Sequence, residues 1–411
     1  MGSTITEKLL ANASHVAEAS AGDYLVADLD YVMVHDSTGP LAFQGVSEIG
    51  KGVFDKDRVI LVFDHFYPAP SVDAASLHKI SREFVKSEEI SNFRSDGVCH
   101  QLLVEDYVSP GDIVVGADSH TCTQGALGAF STGLGSTDAA GAIATGKCWF
   151  RVPESIKIEV SGSPGKGVYA KDMILTIIGE LGSDGALYKA VEFGGDYVRD
   201  ASVPSRITLC NMAVEMGAKN GVIEADDKTV SYLGREGKTF RSDRNAVYAD
   251  EIEFDINNVE PQIACPSEVD NVVPVTEVDD VAIDQAYIGT CTNGRLEDLR
   301  VSADILKGNQ VHPDVRLVVI PATTRIYLKA FNKGYIQTIL QAGGVVPNPG
   351  CGPCIGRWGG VLADGETCIT TQNRNFTGRM GHPSSKIYLA SPATVAASAL
   401  TGTIMDPRGF L

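Results

Sequence analysis

Two cysteines three residues apart, Cys351 and Cys354 in Gly350-Cys-Gly-Pro-Cys-Ile-Gly356, are spaced to hold or exchange electrons with a common partner. A Cys-x-x-Cys pair serves as a redox dithiol, as half of a zinc site or as part of an iron-sulfur site. The plain alternative is a pair of small buried cysteines at a tight turn. A third candidate ligand is Cys291, which follows a short apolar run in Tyr287-Ile-Gly-Thr-Cys-Thr-Asn-Gly-Arg295. The chain holds no second Cys-x-x-Cys, so a closed four-cysteine site would have to recruit isolated thiols. Three ligands point instead to a metal with an open position, where substrate or water can be polarised.

Acid–histidine pairs form the second group. The apolar run Arg58 to Phe63 delivers Asp64-His65 at its end, and Ile113 to Gly116 does the same for Asp118-Ser119-His120. A carboxylate beside a histidine fixes its tautomer and raises its basicity, as general acid–base chemistry requires. His100 sits in a similar polar setting, whereas His15, His78 and His312 read as surface residues. His35-Asp36-Ser-Thr-Gly-Pro40 ends an alternating stretch and fits either a crevice or a surface turn. Asn211 and Glu215 share a helix face at four-residue spacing, which a solvated face would also explain. Arg374 and Arg379, in Gln372-Asn-Arg-Asn-Phe-Thr-Gly-Arg379, suit bidentate recognition of carboxylates and so an anionic substrate.

The elements that must carry these residues read as α/β. Apolar runs at Arg58 to Phe63 and Ile113 to Gly116 have the look of strands buried in a parallel sheet, and Ala286 to Gly289, Arg316 to Ile320 and Cys368 to Thr371 read as strands alternating with helical patterns. Helical patterns cover Asp172 to Leu181, Leu299 to Leu306 and Ile326 to Asn332, and Ser391-Pro392 starts another in cap and first-turn order. Changes of pattern near Arg151-Val152-Pro153 and about Asp270 suggest three α/β domains, over 1–152, 153–270 and 271–411. Gly-Leu-Gly at 133–135 lacks the arrangement of a dinucleotide loop and reads as close packing of a helix start against the site.

Composition narrows the classes further. Lys+Arg 34 against Asp+Glu 52 gives 34 − 52 = −18, which argues against nucleic acid as a partner, as does the lack of a basic stripe. No apolar run reaches membrane-spanning length, and Met1 to Leu10 lacks a basic start with an apolar core, so a cytoplasmic chain without a membrane partner is expected. Nine cysteines in that compartment read as reduced thiols, some of them ligands.

Taken together and in order, Asp118-Ser-His120, Cys291-Thr-Asn-Gly294, Cys351-Gly-Pro-Cys354-Ile-Gly356 and Asn373-Arg-Asn-Phe-Thr-Gly-Arg379 resemble the aconitase superfamily over nearly the whole chain. Arg379-Met-Gly381 and the short length resemble the two-subunit hydro-lyases of isopropylmalate dehydratase type rather than aconitase proper. The resemblance implies three α/β domains packed around a 4Fe-4S cluster held by Cys291, Cys351 and Cys354, with one iron left for substrate. It implies that Asp64 and His65 assist protonation of the departing hydroxyl, with His100–Asp118 and His120–Glu215 as supporting pairs. Ser119, Asn211 and Asn373 match polar positions near substrate or cluster, and Arg374 and Arg379 match arginines that engage carboxylate. His35 stands where aconitases tend to carry glutamine, and is a candidate substrate contact. The implied reaction is reversible dehydration and hydration of a hydroxy dicarboxylic acid, with 3-isopropylmalate/2-isopropylmalate isomerisation in leucine biosynthesis foremost. Homoaconitate, citramalate/citraconate and 2,3-dimethylmalate are the alternatives. Only 32 residues follow Arg379 (411 − 379), too few for a swivelling fourth domain. A separate small subunit is therefore expected to bring the serine base and the substrate-selecting loop.

Overall fold

Strands whose residues are apolar on both faces must be covered on both faces, and Val59–Val62 and Ile113–Gly116 are buried at every position. In the computed structural model, which describes residues 2–411, they lie in a five-stranded, all-parallel sheet. Its order is Asn92–Arg94, Val59–Val62, Tyr31–His35, Ile113–Gly116, Phe130–Gly133. The chain enters at the central strand Tyr31–His35, builds outward to one side, then returns to build the other. That reversal makes a topological switch point between Tyr31–His35 and Ile113–Gly116, where the carboxyl ends of α/β strands open a crevice.

The chain divides into two compact units, each with its own core. The first comprises the chain up to Ser95, Cys99–Ser161 and Asp184–Phe254. Besides the parallel sheet it holds a four-stranded sheet, in the order Asn220–Val222, Ala190–Gly194, Ser155–Ser161, Asp250–Asp255. A two-stranded antiparallel ribbon pairs Tyr24–Asp28 with Lys147–Arg151. The alternating stretch before His35 is thus two strands in different sheets. Helix Val203–Met212 packs on the 3-10 run Ser119–Leu127, directly below the strand end that carries Asp118.

The second unit comprises Asp96–Val98, Gly162–Ser183 and Asp255–Leu411. Four parallel strands, Lys386–Ala390, Thr367–Thr370, Gln285–Ile288 and Arg316–Val319, form the main part of its six-stranded sheet. Gln262–Ala264 and Val272–Pro274 extend it antiparallel beyond Lys386–Ala390. Helix Pro392–Thr401, with Ser391 at its cap and Pro392 in its first turn, packs on the sheet, and helix Leu296–Leu306 packs against that helix. Among the described residues no helix is long and apolar enough to cross a membrane.

Candidate active site

Three strands of the first unit end in the polar residues singled out by type and spacing. His35 closes Tyr31–His35, Asp64-His65 follow Val59–Val62, and Asp118-Ser119-His120 follow Ile113–Gly116. Asp64 Oδ1 lies 2.7 Å from His65 Nδ1, and its other oxygen accepts the Cys99 N–H at 2.7 Å. Burial alone would push Asp64 up, yet the charge and hydrogen bond of His65 leave its carboxyl below the usual range. Asp118 Oδ1 lies 2.8 Å from His100 Nε2 and also accepts the His120 N–H at 2.8 Å. Burial opposes its ionisation too, but His100 and His35 hold it well below the ordinary carboxylate range. His120 Nε2 reaches Glu215 Oε1 at 2.7 Å, and the Ser119 hydroxyl lies 3.5 Å from His120 Nδ1.

His35 links these pairs across the switch point. Its ring stacks on that of His65 with centroids 4.0 Å apart, and its Nε2 lies 3.4 Å from Asp118 Oδ2. The Ser37 N–H donates to His35 Nδ1 at 3.3 Å, so in the neutral ring the proton sits on Nε2. Asn211 is fully buried below the turn, where its amide donates to Thr123 Oγ1 at 2.7 Å, and that hydroxyl donates to the His120 carbonyl at 2.5 Å. Asn211 and Glu215 do not ride one helix: Val203–Met212 gives way to the 3-10 turn Ala213–Met216, which swings Glu215 toward His120. Gly133 is the glycine of the 133–135 stretch that close packing demands, since a Cβ there would stand 2.6 Å from the Asp118 carbonyl oxygen.

In the second unit the three candidate ligands are buried cysteines outside any disulfide. Cys291 lies in the short helix Thr290–Asn293 just past strand Gln285–Ile288; Cys351 caps the 3-10 turn Gly352–Ile355 and Cys354 lies within it, with their sulfurs 2.6 Å apart. Both turns close on Tyr287. A Cβ on Gly289 or on Gly352 would stand 2.7 Å from the Tyr287 hydroxyl oxygen, which itself donates to the Cys351 carbonyl at 2.9 Å. Burial first, then the charges of Cys351, Cys354 and Cys291, push this phenol well above its ordinary value. Asn373 places its amide 3.6 Å (Nδ2) and 3.8 Å (Oδ1) from Cys291 Sγ. Three soft thiolates on glycine-lined turns, with a phenol and an amide beside them, are a donor set suited to an iron-sulfur group.

The arginine loop continues from this point. Arg374 lies over the half-exposed Phe376 ring, 5.9 Å from its centroid, while Asn375 is tied to the carbonyls of Cys265 (2.7 Å) and Glu268 (3.1 Å). Among the described residues, Arg379 Nε and His100 Nδ1 are buried polar atoms without a hydrogen-bond partner. A polar ligand would satisfy such atoms, which are costly to leave unmade.

Two members of the first cluster were not legible as such. Asp36, fully buried, accepts from the N–H groups of His65 (3.1 Å) and Phe66 (2.8 Å) and faces His78 Nε2 at 3.2 Å. His78 is therefore no surface residue: it is buried, with its ring stacked on Phe63 at 4.1 Å. The available signal was helical spacing, because Ala74, His78, Ser81 and Phe84 make one buried face of helix Val72–Ser87.

A model of the "Aconitase family (aconitate hydratase)" matches residues 7–402. The chain is 53% identical over 419 residues to "3-isopropylmalate dehydratase large subunit 1" of Methanopyrus kandleri, covering 100% of both chains. It is 49% identical to the "Probable methanogen homoaconitase large subunit" of Methanothermobacter thermautotrophicus, over 98% of this chain and 97% of that one. Among solved structures it resembles Thermococcus kodakaraensis aconitase X in its holo form, with a TM-score of 0.55 at 12% identity over 91% of this chain and 90% of the other. That last likeness concerns the fold.

Proposed function

This chain belongs to the aconitase family, and from that premise we propose that it is the large subunit of an iron-sulfur hydro-lyase that interconverts 3-isopropylmalate and 2-isopropylmalate in leucine biosynthesis. The observation that carries the reaction class is that the two turns holding three buried cysteines both close on one buried tyrosine. Full-length likeness to a dehydratase large subunit supports the substrate. The relative named as a homoaconitase, almost as similar, keeps a longer hydroxy tricarboxylate as the second reading.

Cys291, Cys351 and Cys354 would hold a 4Fe-4S cluster. Bound there, the cluster supplies a Lewis acid at the iron that has no cysteine. The rest of the chemistry falls to side chains. Asp64, kept ionised, accepts from His65 Nδ1 and favours the imidazolium, so that His65 can donate a proton through Nε2 to a departing hydroxyl. Asp118 orients His100, and Glu215 orients His120. His35, Ser119, Asn211 and Asn373 supply polar contacts to the substrate or its surroundings, and Arg374 and Arg379 bind carboxylate through planar forks. A small-subunit partner would bring the serine base that takes the carbon-bound proton, together with the loop that selects the substrate side chain.

Anaerobic reconstitution with iron and sulfide, followed by assay with the small subunit on 3-isopropylmalate and on homocitrate, tests this reading. Turnover of isopropylmalate is expected. In Cys351→Ser, bound iron and sulfide should fall to background, and unchanged metal content would remove Cys351 from the ligand set.

A further inference from the structure

Lys171 is fully buried in the first turn of helix Ala170–Leu181, in the unit that carries the cysteine turns. Lysine is almost never fully buried unless partners hold its charge. Here Nζ donates to two main-chain carbonyls, Thr371 at 2.9 Å and Gln372 at 2.7 Å. These are the last two carbonyls before Asn373 and Arg374. Thr371 is held from its other side as well: Oγ1 accepts the Gly289 N–H at 2.9 Å and donates to the Gly289 carbonyl at 3.1 Å. Gly289 opens the turn that carries Cys291. The same ammonium acts on Asp298, whose carboxylate accepts from Asn293 Nδ2 (3.0 Å) and the Arg295 N–H (2.9 Å), while Arg295 Nη1 donates to the Cys291 carbonyl at 2.9 Å. One buried cation therefore stands where the arginine loop and the Cys291 turn are joined.

We propose that Lys171 is a positioning residue of the site: its ammonium clamps Thr371 and Gln372 so that Asn373 and Arg374 keep their place beside the Cys291 turn. A hydroxyl has one donor and a neutral amide two uncharged ones, whereas the ammonium brings three donors whose charge strengthens each bond to the converging carbonyls. The kinetic part rests on the reading of Arg374 as a carboxylate binder.

Lys171→Met keeps the length of the side chain and removes the charge. Amide hydrogen exchange at 371–376 should rise about tenfold or more, with the strands Gln285–Ile288 and Arg316–Val319 unchanged. In the reconstituted enzyme with its small subunit, KM should rise about tenfold while kcat stays within about threefold and iron per chain is unchanged. If Lys171→Met does not fold, Thr371→Val decides, since it cuts the same join at Gly289 and should loosen the same segment. Unchanged exchange at 371–376 overturns the proposal, as does a uniform rise through the whole sheet with kcat and KM altered together. The exchange readout needs neither substrate nor cluster, so an inactive wild type would sink the isopropylmalate reading and leave this test standing.

Discussion

His65 owes its setting to a neighbour one position away and to another far along the chain. Asp64 takes its Nδ1 at 2.7 Å, and Asp36 accepts its backbone N–H at 3.1 Å. A histidine whose ring nitrogen is committed to an ionised carboxylate is oriented to donate from the other nitrogen. His65→Asn should lower turnover by roughly a hundredfold or more, with iron and sulfide content unchanged. Unaltered turnover and pH dependence in the loaded variant would take His65 out of the reaction. At this scale the sequence was informative wherever a residue sat at the end of an apolar run, since a buried parallel strand must deliver its last side chains to the carboxyl edge. Asp36 and His78 escaped because pairing across 42 positions leaves no trace in local spacing. Tyr287 escaped because a tyrosine within an apolar strand looks like core, and only the two glycines packed on its hydroxyl reveal a different task.

Helix Ala170–Leu181 shows how an element can carry a liability in its first turn. Asp172 accepts from the N–H groups of Tyr169 (2.8 Å) and Gln262 (2.9 Å), yet burial outweighs these bonds and that of Ser391 and pushes its carboxyl up to about 7. Between the ordinary value of 3.8 and about 7, the unfolded chain has released this proton while the folded chain keeps it. The folded state binds more protons there, so the Asp172 contribution to stability falls as pH rises through the window. Asp172→Asn, which keeps an acceptor and cannot ionise, should flatten that fall. Urea midpoints of both proteins from pH 4 to 8 would show it, and parallel profiles would count against a neutral Asp172. The five strands read from apolar runs lie within about a residue of their observed ends, because such runs are short and sharply bounded, whereas strands without such a run, among them Asn92–Arg94 and Asp250–Asp255, were not read. The break between Val203–Met212 and Ala213–Met216 was not legible either, since Ala213 and Val214 carry no helix-stopping signal.

At the scale of the molecule, the α/β class followed from strand composition, and the family followed from four motifs kept in order; how the chain is shared between units did not. Segments at 96–98 and 162–183 belong with the C-terminal part of the chain, and such long-range membership has no compositional mark. The names of the relatives place the proposed partner at this scale too. The reconstituted chain alone should show no isomerisation, and adding the small subunit should restore it; full turnover by the chain alone would overturn the two-subunit reading. The interleaving also bears on synthesis. Helix Ala170–Leu181 packs against Gln262–Ala264 and Val272–Pro274, strands made at least 81 residues later (262 − 181). At about 5–20 residues per second its apolar face waits on the order of 4 to 16 seconds for a mate. During that interval Met173, Ile174, Leu175, Ile177 and Ile178 are bare on the nascent chain, which makes this helix the segment a ribosome-associated chaperone would be expected to hold.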